Sequence, residues 1–361
     1  MDVDLNGTPP PRTISIQPRP RNPAQLIAML MSIKKFDGVD WWAKDDHGDL
    51  VSQNMVGDAI KDSQSFDIVP KSEKTMQYRT YVTMNPPTLG FAYIGDDKKL
   101  HITKAGLQAA KSEDLDVLFT KQMIKWQYPS NSHGGSGGKG ASSFPLRTIW
   151  SIHPFVSIIR ICIMLENKTG ESTQGYLSKE EIATFVTTMQ NDNEVDKICD
   201  EILRLRKDTI KARGNQKKKM RIDKHKEKLR IAYKQDIEYG NYKIRQRKTN
   251  TVDEFLETKI NNTNDYADTI IRYCRFTGLF ASSDRVRRLI INPHQKWKAI
   301  EISKEETFLN LNKNIDDKEK YFSWFGDPSI PILPWESREG HLKEIKENLK
   351  NICEYLQIMM I

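Results

Sequence analysis

Apolar residues recur at helical spacing over most of this chain, and two short alternating runs interrupt them. Residues 24–36 (AQLIAMLMSIKKF) predict a first helix and Ser52 to Lys61 a second. FAYIGDDKKLHIT (91–103) then reads as two strands around an Asp-Asp-Lys-Lys turn. Helix, helix and hairpin in that order predict a winged helix. Thr103 opens another helix through Lys111, and Asp114 to Trp126 follows, with Pro129 as its stop. The second half repeats this logic. A buried helix is expected near 152–165, and in LSKEEIATFV (177–186) Ser178 with Glu181 forms a capping box. A helix starts near Asn193, another spans Asp253 to Phe276 and ends at Gly278, and LFASSDRVRRLIINP (279–293) reads as a second wing. Aromatic packing in YFSWFGDPSIPILPW (321–335) precedes a long amphipathic helix from Ser337 to about Met359.

The expected fold is therefore mainly α, of α+β class: tandem winged-helix or helix-turn-helix subdomains with short β-hairpin wings. Residues 1–23 form a basic, Pro-rich extended arm, 24–130 the first subdomain, and 131–143 a Gly/Ser-rich loop. Residues 144–300 form the second subdomain and 301–361 a C-terminal helical unit.

Composition adds location and redox state. With 38% hydrophobic and 29% charged residues the chain is globular, and its longest apolar candidate, Ile149 to Leu165, is broken by His153, Pro154 and Arg160. No signal-peptide layout opens the sequence, so a cytoplasmic protein with no membrane partner is expected. Cys162, Cys199, Cys274 and Cys353 lie far apart with no CxxC pair, which predicts buried reduced thiols.

Charge changes the picture most. Residues 204–248 hold 18 Lys/Arg against 5 Asp/Glu in a chain of net charge +8, so everything else sums to a negative charge. Such a split points to a polyanion, and nucleic acid is the first expectation. Lys217, Lys218, Lys219 and Arg221 are candidate phosphate grips, although a solvated basic face has the same composition. Lys121, Lys125 and Gln127 lead into Tyr128 and are candidates for reading bases, with a plain helix face as the alternative. Arg272 and Arg275 occupy the helix before the second wing, where a recognition helix would lie, and Arg285, Arg287 and Arg288 crown that wing. Arg19 and Arg21 on the arm could enter a groove. Arg79 is a candidate by basicity, and Lys34 and Lys35 either touch DNA or complement a helix dipole.

Hydrolytic chemistry finds little support in these residues. Asp253, Glu257 and Lys259 imitate a D…ExK pattern, yet one helical turn separates the two acids, whereas the nuclease fold that carries this pattern needs them on adjacent strands of a sheet. No histidine falls at metal-ligand spacing, and GGSGGKG (134–140) lacks the strand-to-helix context of a phosphate loop. No catalytic residue and no metal ligand is assigned.

Five blocks carry a family resemblance: VLFTKQMIKWQYPS (117–130), SIHPFVSIIRICIML (151–165), NDNEVDKICDEILRLR (191–206), LETKINNTNDYADTIIRYCRFTGLF (256–280) and FGDPSIPILPWESRE (325–339). In content and order they resemble the AlwI / Nt.BstNBI group of type IIS restriction and nicking endonucleases. The resemblance implies a bacterial DNA-recognition region reading a short asymmetric duplex site as a monomer. It also implies a magnesium-dependent PD-(D/E)xK nuclease domain lying beyond residue 361. Recognition without cleavage, and no cofactor for these residues themselves, is the resulting expectation. The alternatives are an endonuclease subunit working with a separate catalytic subunit, and a winged-helix transcriptional regulator.

Overall fold

Asn22 starts the first helix by accepting a hydrogen bond from the Ala24 amide, with Pro23 at a position that needs no donor. The resulting α1 (Pro23–Ile33) runs into a 3₁₀ turn at Lys34–Phe36 and packs on α2 (Val51–Asp62). The structure, a computed structural model, describes residues 13–16, 20–62, 82–83, 86–128, 130, 152–240, 251–282, 288–309 and 317–359. The Gly/Ser loop at 131–143 lies outside the described residues.

The first hairpin is present: β1 (Ala92–Ile94) pairs antiparallel with β2 (Leu100–Ile102), Tyr93 opposite His101. Thr103 caps α3 (Lys104–Ala109), accepting from the Gly106 amide. Gly106 is obligatory there, because a Cβ would sit 2.0 Å from the Phe91 carbonyl oxygen. Next comes α4 (Leu115–Lys125), every residue of which from Leu118 onward is buried.

After it runs α5 (Pro154–Thr169), closed by Gly170 in the left-handed region at φ 70°. Then β3 (Tyr176–Ser178) meets the Ser178–Glu181 capping box, which opens α6 (Lys179–Glu181), continued by a π-helical turn over Ile182–Val186. Two helices form a hairpin, α7 (Val195–Ile210) and α8 (Gly214–Ala232), followed by the short α9 (Lys234–Glu238). Gly278, at φ 73°, follows the long α10 (Val252–Phe276). The second hairpin, β4 (Phe280–Ser282) with β5 (Arg288–Ile291), gains a strand that the sequence reading placed at the start of a helical run: β3 pairs with β5, giving the antiparallel order β3-β5-β4. Last come α11 (Lys296–Lys304), α12 (Lys318–Phe325) and α13 (Arg338–Met359). The result is a mainly helical α+β protein with short antiparallel strands.

One hydrophobic cluster extends from Ile14 to Trp335 and draws on all three expected units. The expected boundary at 300/301 does not separate cores, because the aromatic 321–335 stretch is buried against α3 and α4. The Ala105 amide donates to the Gly326 carbonyl at 2.8 Å, and Gln122 donates to both the Leu89 and Phe325 carbonyls. The first hairpin is likewise pinned: Tyr93 donates to Glu319 at 2.6 Å and stacks on Phe322 of α12 at 4.2 Å. The described part of the N-terminal arm is not a loose extension. Ile14 and Ile16 are fully buried, the Ile14 amide donates to the Thr187 carbonyl at 2.7 Å, and the Tyr273 hydroxyl donates to the Pro20 carbonyl at 3.3 Å. Two isoleucines among the prolines and arginines are enough to draw this segment inward.

A smaller cluster of Leu229, Tyr233, Phe255 and Leu256 fastens the foot of α8 to the start of α10. Three thiols are buried as expected, and burial raises the pKa of Cys162, Cys199 and Cys274. Cys353 departs from the expectation, since it stands exposed on α13. Among the described residues no helix is long and apolar enough to cross a membrane.

Candidate nucleic-acid interface

Most of the described part of the basic segment, 204–240, folds into the α7–α8 hairpin and divides sharply along it. Near the foot of the hairpin the cations meet carboxylates supplied by other elements. Glu201 of α7 holds Lys224 at 3.3 Å and Lys228 at 3.2 Å. Asp253 of α10 takes Arg230 at 2.9 Å and Lys226 at 3.8 Å, and Glu257 also faces Lys226. Burial opposes ionisation of Glu201, yet Lys228 and Lys224 outweigh it and hold its carboxyl below the usual range. Arg206 is fully engaged: its guanidinium grips Glu181 at 2.7 and 2.9 Å and donates to the Gln174 and Tyr176 carbonyls. Buried His225, with its Nε2 3.0 Å from the Thr263 hydroxyl, joins α8 to α10, and desolvation pushes it down to about 4. It is neutral at physiological pH.

At the turn the pattern reverses. Arg204, Lys207, Lys211, Arg213, Lys217, Lys218, Lys219 and Arg221 make no ion pair among the described residues, and all but partly covered Lys217 are exposed. This set gathers the C-terminal end of α7 and the first two turns of α8, whose N-cap residue, Arg213, makes no side-chain capping bond. Free backbone amides, the positive end of the helix dipole and unpaired cations therefore share one surface.

A second cationic group forms where α10 meets the three-stranded sheet. The Arg275 Nη2 donates to the Arg288 carbonyl at 3.1 Å, while its buried Nε has no partner among the described residues. Burial, with help from the neighbouring Arg272 charge, lowers the pKa of Arg275. The Arg288 guanidinium lies 4.2 Å from the centre of the Tyr176 ring, which Arg206 also stacks against at 3.8 Å. Arg272 gives its Nε to Asp268 at 3.1 Å and makes no other hydrogen bond among the described residues. Each arginine is thus oriented by a contact that uses only part of its donors. Arg21 docks beside them, 2.9 Å from Asp265 and 3.9 Å from Asp268, so in this structure it ties the N-terminal segment to α10.

Four expected base readers are turned inward, and this corrects the sequence reading. Lys121 is buried against Glu336 at 2.8 Å, and Lys125 is fully buried, donating to the Phe325 and Asp327 carbonyls at 2.6 and 2.7 Å. Burial drives the Lys125 pKa well below the usual lysine range. Gln127 and Tyr128 are buried too, with Tyr128 bridging to Ile152. Apolar neighbours all round α4 take its polar residues into the core with them. Lys34 and Lys35 are exposed at the end of the first helical segment, Lys35 lying 5.1 Å from the Phe36 ring centre. Arg19, Arg79, Arg285 and Arg287 lie outside the described residues.

Asp253 and Glu257 sit one turn apart on α10 and form the ion pairs given above, while the Lys259 ammonium lies over the Tyr233 and Phe255 rings. Among the described residues no three His, Cys, Asp or Glu side chains gather as metal ligands. Sequence reasoning missed the unpaired residues Arg204, Lys207, Lys211 and Arg213, whose signal was present in the same charge run.

Fold and surface together define an α+β protein with a cationic crest, the kind of surface that meets a polyanion. Residues 87–359 match the AlwI restriction endonuclease family, and the chain belongs to that family. No curated protein matches its sequence. Among solved structures it is similar to the BpuJ1 endonuclease binding domain, solved in complex with pyrene- and phenanthrene-modified DNA. That likeness has 11% identity and a TM-score of 0.49, and covers 84% of this chain and 91% of the other.

Proposed function

We propose that residues 1–361 bind duplex DNA as the sequence-specific recognition region of a type IIS restriction or nicking endonuclease, one body reading one short asymmetric site. The observation that carries this reading is the α7–α8 turn, where eight cations make no ion pair among the described residues on a chain that pairs the cations at the foot of the same hairpin. No ion pair among the described residues relieves the mutual repulsion there, and phosphates relieve it on binding. Backbone contacts of this kind position a protein without reading sequence. Base reading falls instead to Arg272, Arg275 and Arg288, whose partly free forks suit guanine edges. Phosphodiester hydrolysis belongs, in this reading, to a magnesium-dependent nuclease domain outside these residues.

A salt titration of duplex binding, run beside a magnesium-supplemented plasmid cleavage assay, tests both parts. Tight binding with a steep log–log salt slope and intact plasmid is expected. A salt-insensitive affinity would remove the phosphate grip, and site-specific nicks from pure protein would place a catalytic centre within these residues.

A further inference from the structure

The α13 helix carries a surface that the DNA-binding reading leaves unused. Leu342, Ile345, Leu349 and Ile352 are 55%, 55%, 56% and 55% exposed, and they follow one another at steps of three, four and three. The sequence continues that spacing at Leu356 and Met359 before the helix ends. These are the first and fourth positions of a seven-residue repeat, a seam only two positions wide. A helix lying on a globular surface shows a broader stripe, so the narrow seam calls for another helix.

The anchoring of α13 leaves the seam free. Lys343 pairs with Glu301 at 2.9 Å, Glu344 faces Lys298, and Gly340 packs so closely on the Pro334–Trp335 backbone that a Cβ would lie 2.2 Å from the Pro334 oxygen. All three lie on the side of the helix opposite the repeat's first and fourth positions, so the seam points away from the body. At 22 residues the helix is about 33 Å long.

We infer that α13 pairs with α13 of a second copy of this chain as an antiparallel two-stranded coil, with the two-fold axis between positions 350 and 351. In that register Leu349 meets the other copy's Ile352, and the flanking Lys346 falls opposite Cys353 and Asn348 opposite Tyr355, with no like charges in apposition. A parallel pair would bring His341 beside Lys346. It would also place leucine at the first position and isoleucine at the fourth, an order that disfavours two parallel strands. The pairing joins two recognition bodies, each keeping its own asymmetric site, and does not depend on the DNA-binding reading.

Sedimentation velocity of the full chain over a wide concentration range tests it. A reversible monomer–dimer shift is expected, and Leu349→Asp and Ile345→Asp, both at exposed positions, should abolish it with an unchanged circular dichroism spectrum. Lys346→Cys should then give an interchain disulfide with the resident Cys353 under glutathione disulfide, since its two thiols sit on facing flanks only in the antiparallel register. A monomer at every concentration, a tetramer, or a dimer that survives Leu349→Asp overturns the pairing. A dimer that Lys346→Cys fails to crosslink overturns the register.

Discussion

The lysines of α4 and those at the turn of the α7–α8 hairpin are chemically alike and do opposite things. Lys125 has no exposed surface and gives its ammonium to two backbone carbonyls, whereas Lys218 and Lys219 stand in solvent with no ion pair among the described residues. The flanking residues decide. Leu118, Phe119, Met123, Ile124 and Trp126 surround the α4 lysines with apolar neighbours, while Gly214, Asn215 and Gln216 lead into the α8 run. A cation joins whatever environment its helix takes, so basicity alone does not nominate a DNA contact. The largest expected effect follows from the inward case. Lys125→Ala opens a cavity and removes the donor to the Asp327 carbonyl, and should destabilise the fold by roughly 3–5 kcal/mol in chemical unfolding. DNA affinity of the protein still folded should be unchanged. A drop in affinity without loss of stability would return Lys125 to the interface and break the contrast.

How much of this was legible follows the same line. Both hairpins, the capping box at Ser178 and the helix ends at Thr103 and Gly278 depend on neighbours a few residues away, and the sequence announces them. The edge strand at Tyr176–Ser178 was hidden because its partner, β5, lies more than a hundred residues downstream. The burial of α4 was hidden, since Lys121 and Lys125 stand one turn apart and read as a solvated face, while the groups that cover them, Phe325, Asp327 and Glu336, lie far down the chain. The split of the hairpin into paired foot and unpaired turn was hidden too, because Asp253 and Glu257 come from α10.

The foot of the hairpin owes its position partly to a neutral histidine. His225 titrates at about 4 in the folded state, below the value near 6.5 of an unfolded chain. As pH falls the unfolded state takes up this proton first, so the stabilisation is full above about 6.5 and is lost as pH drops towards 4. The loss attributable to His225 should reach about 3 kcal/mol. His225→Gln, which cannot titrate, should show a flatter stability curve between pH 7 and 4. Parallel curves for the two proteins would mean that the α8–α10 joint does not depend on the neutral ring.

At the turn the expectation concerns binding and leaves stability alone. Replacing Lys217, Lys218, Lys219 and Arg221 with alanine should weaken duplex binding at least about a hundredfold near 0.1 M salt and reduce the log–log salt slope by roughly 3. Unfolding free energy should move by no more than about 0.5 kcal/mol, because no native partner is lost. An unchanged salt slope would show that these cations do not meet phosphate.

The smallest expected change is the most discriminating, because it turns part of the foot into a second turn. Glu201→Gln removes the carboxylate that holds Lys224 and Lys228, at a cost of roughly 1 kcal/mol in these partly covered ion pairs. Lys228 would then stand without its carboxylate on the same helix as Lys217 to Arg221, while Lys224 keeps Glu227 at 2.8 Å. If pairing is what withholds Lys228 from DNA, affinity should rise a few-fold and the salt slope steepen by up to about 1. If affinity stays level while stability falls, Lys228 faces away from the duplex, and its place on the hairpin outweighs the carboxylate beside it. Comparing the two slopes on one duplex separates charge from position within a single helix.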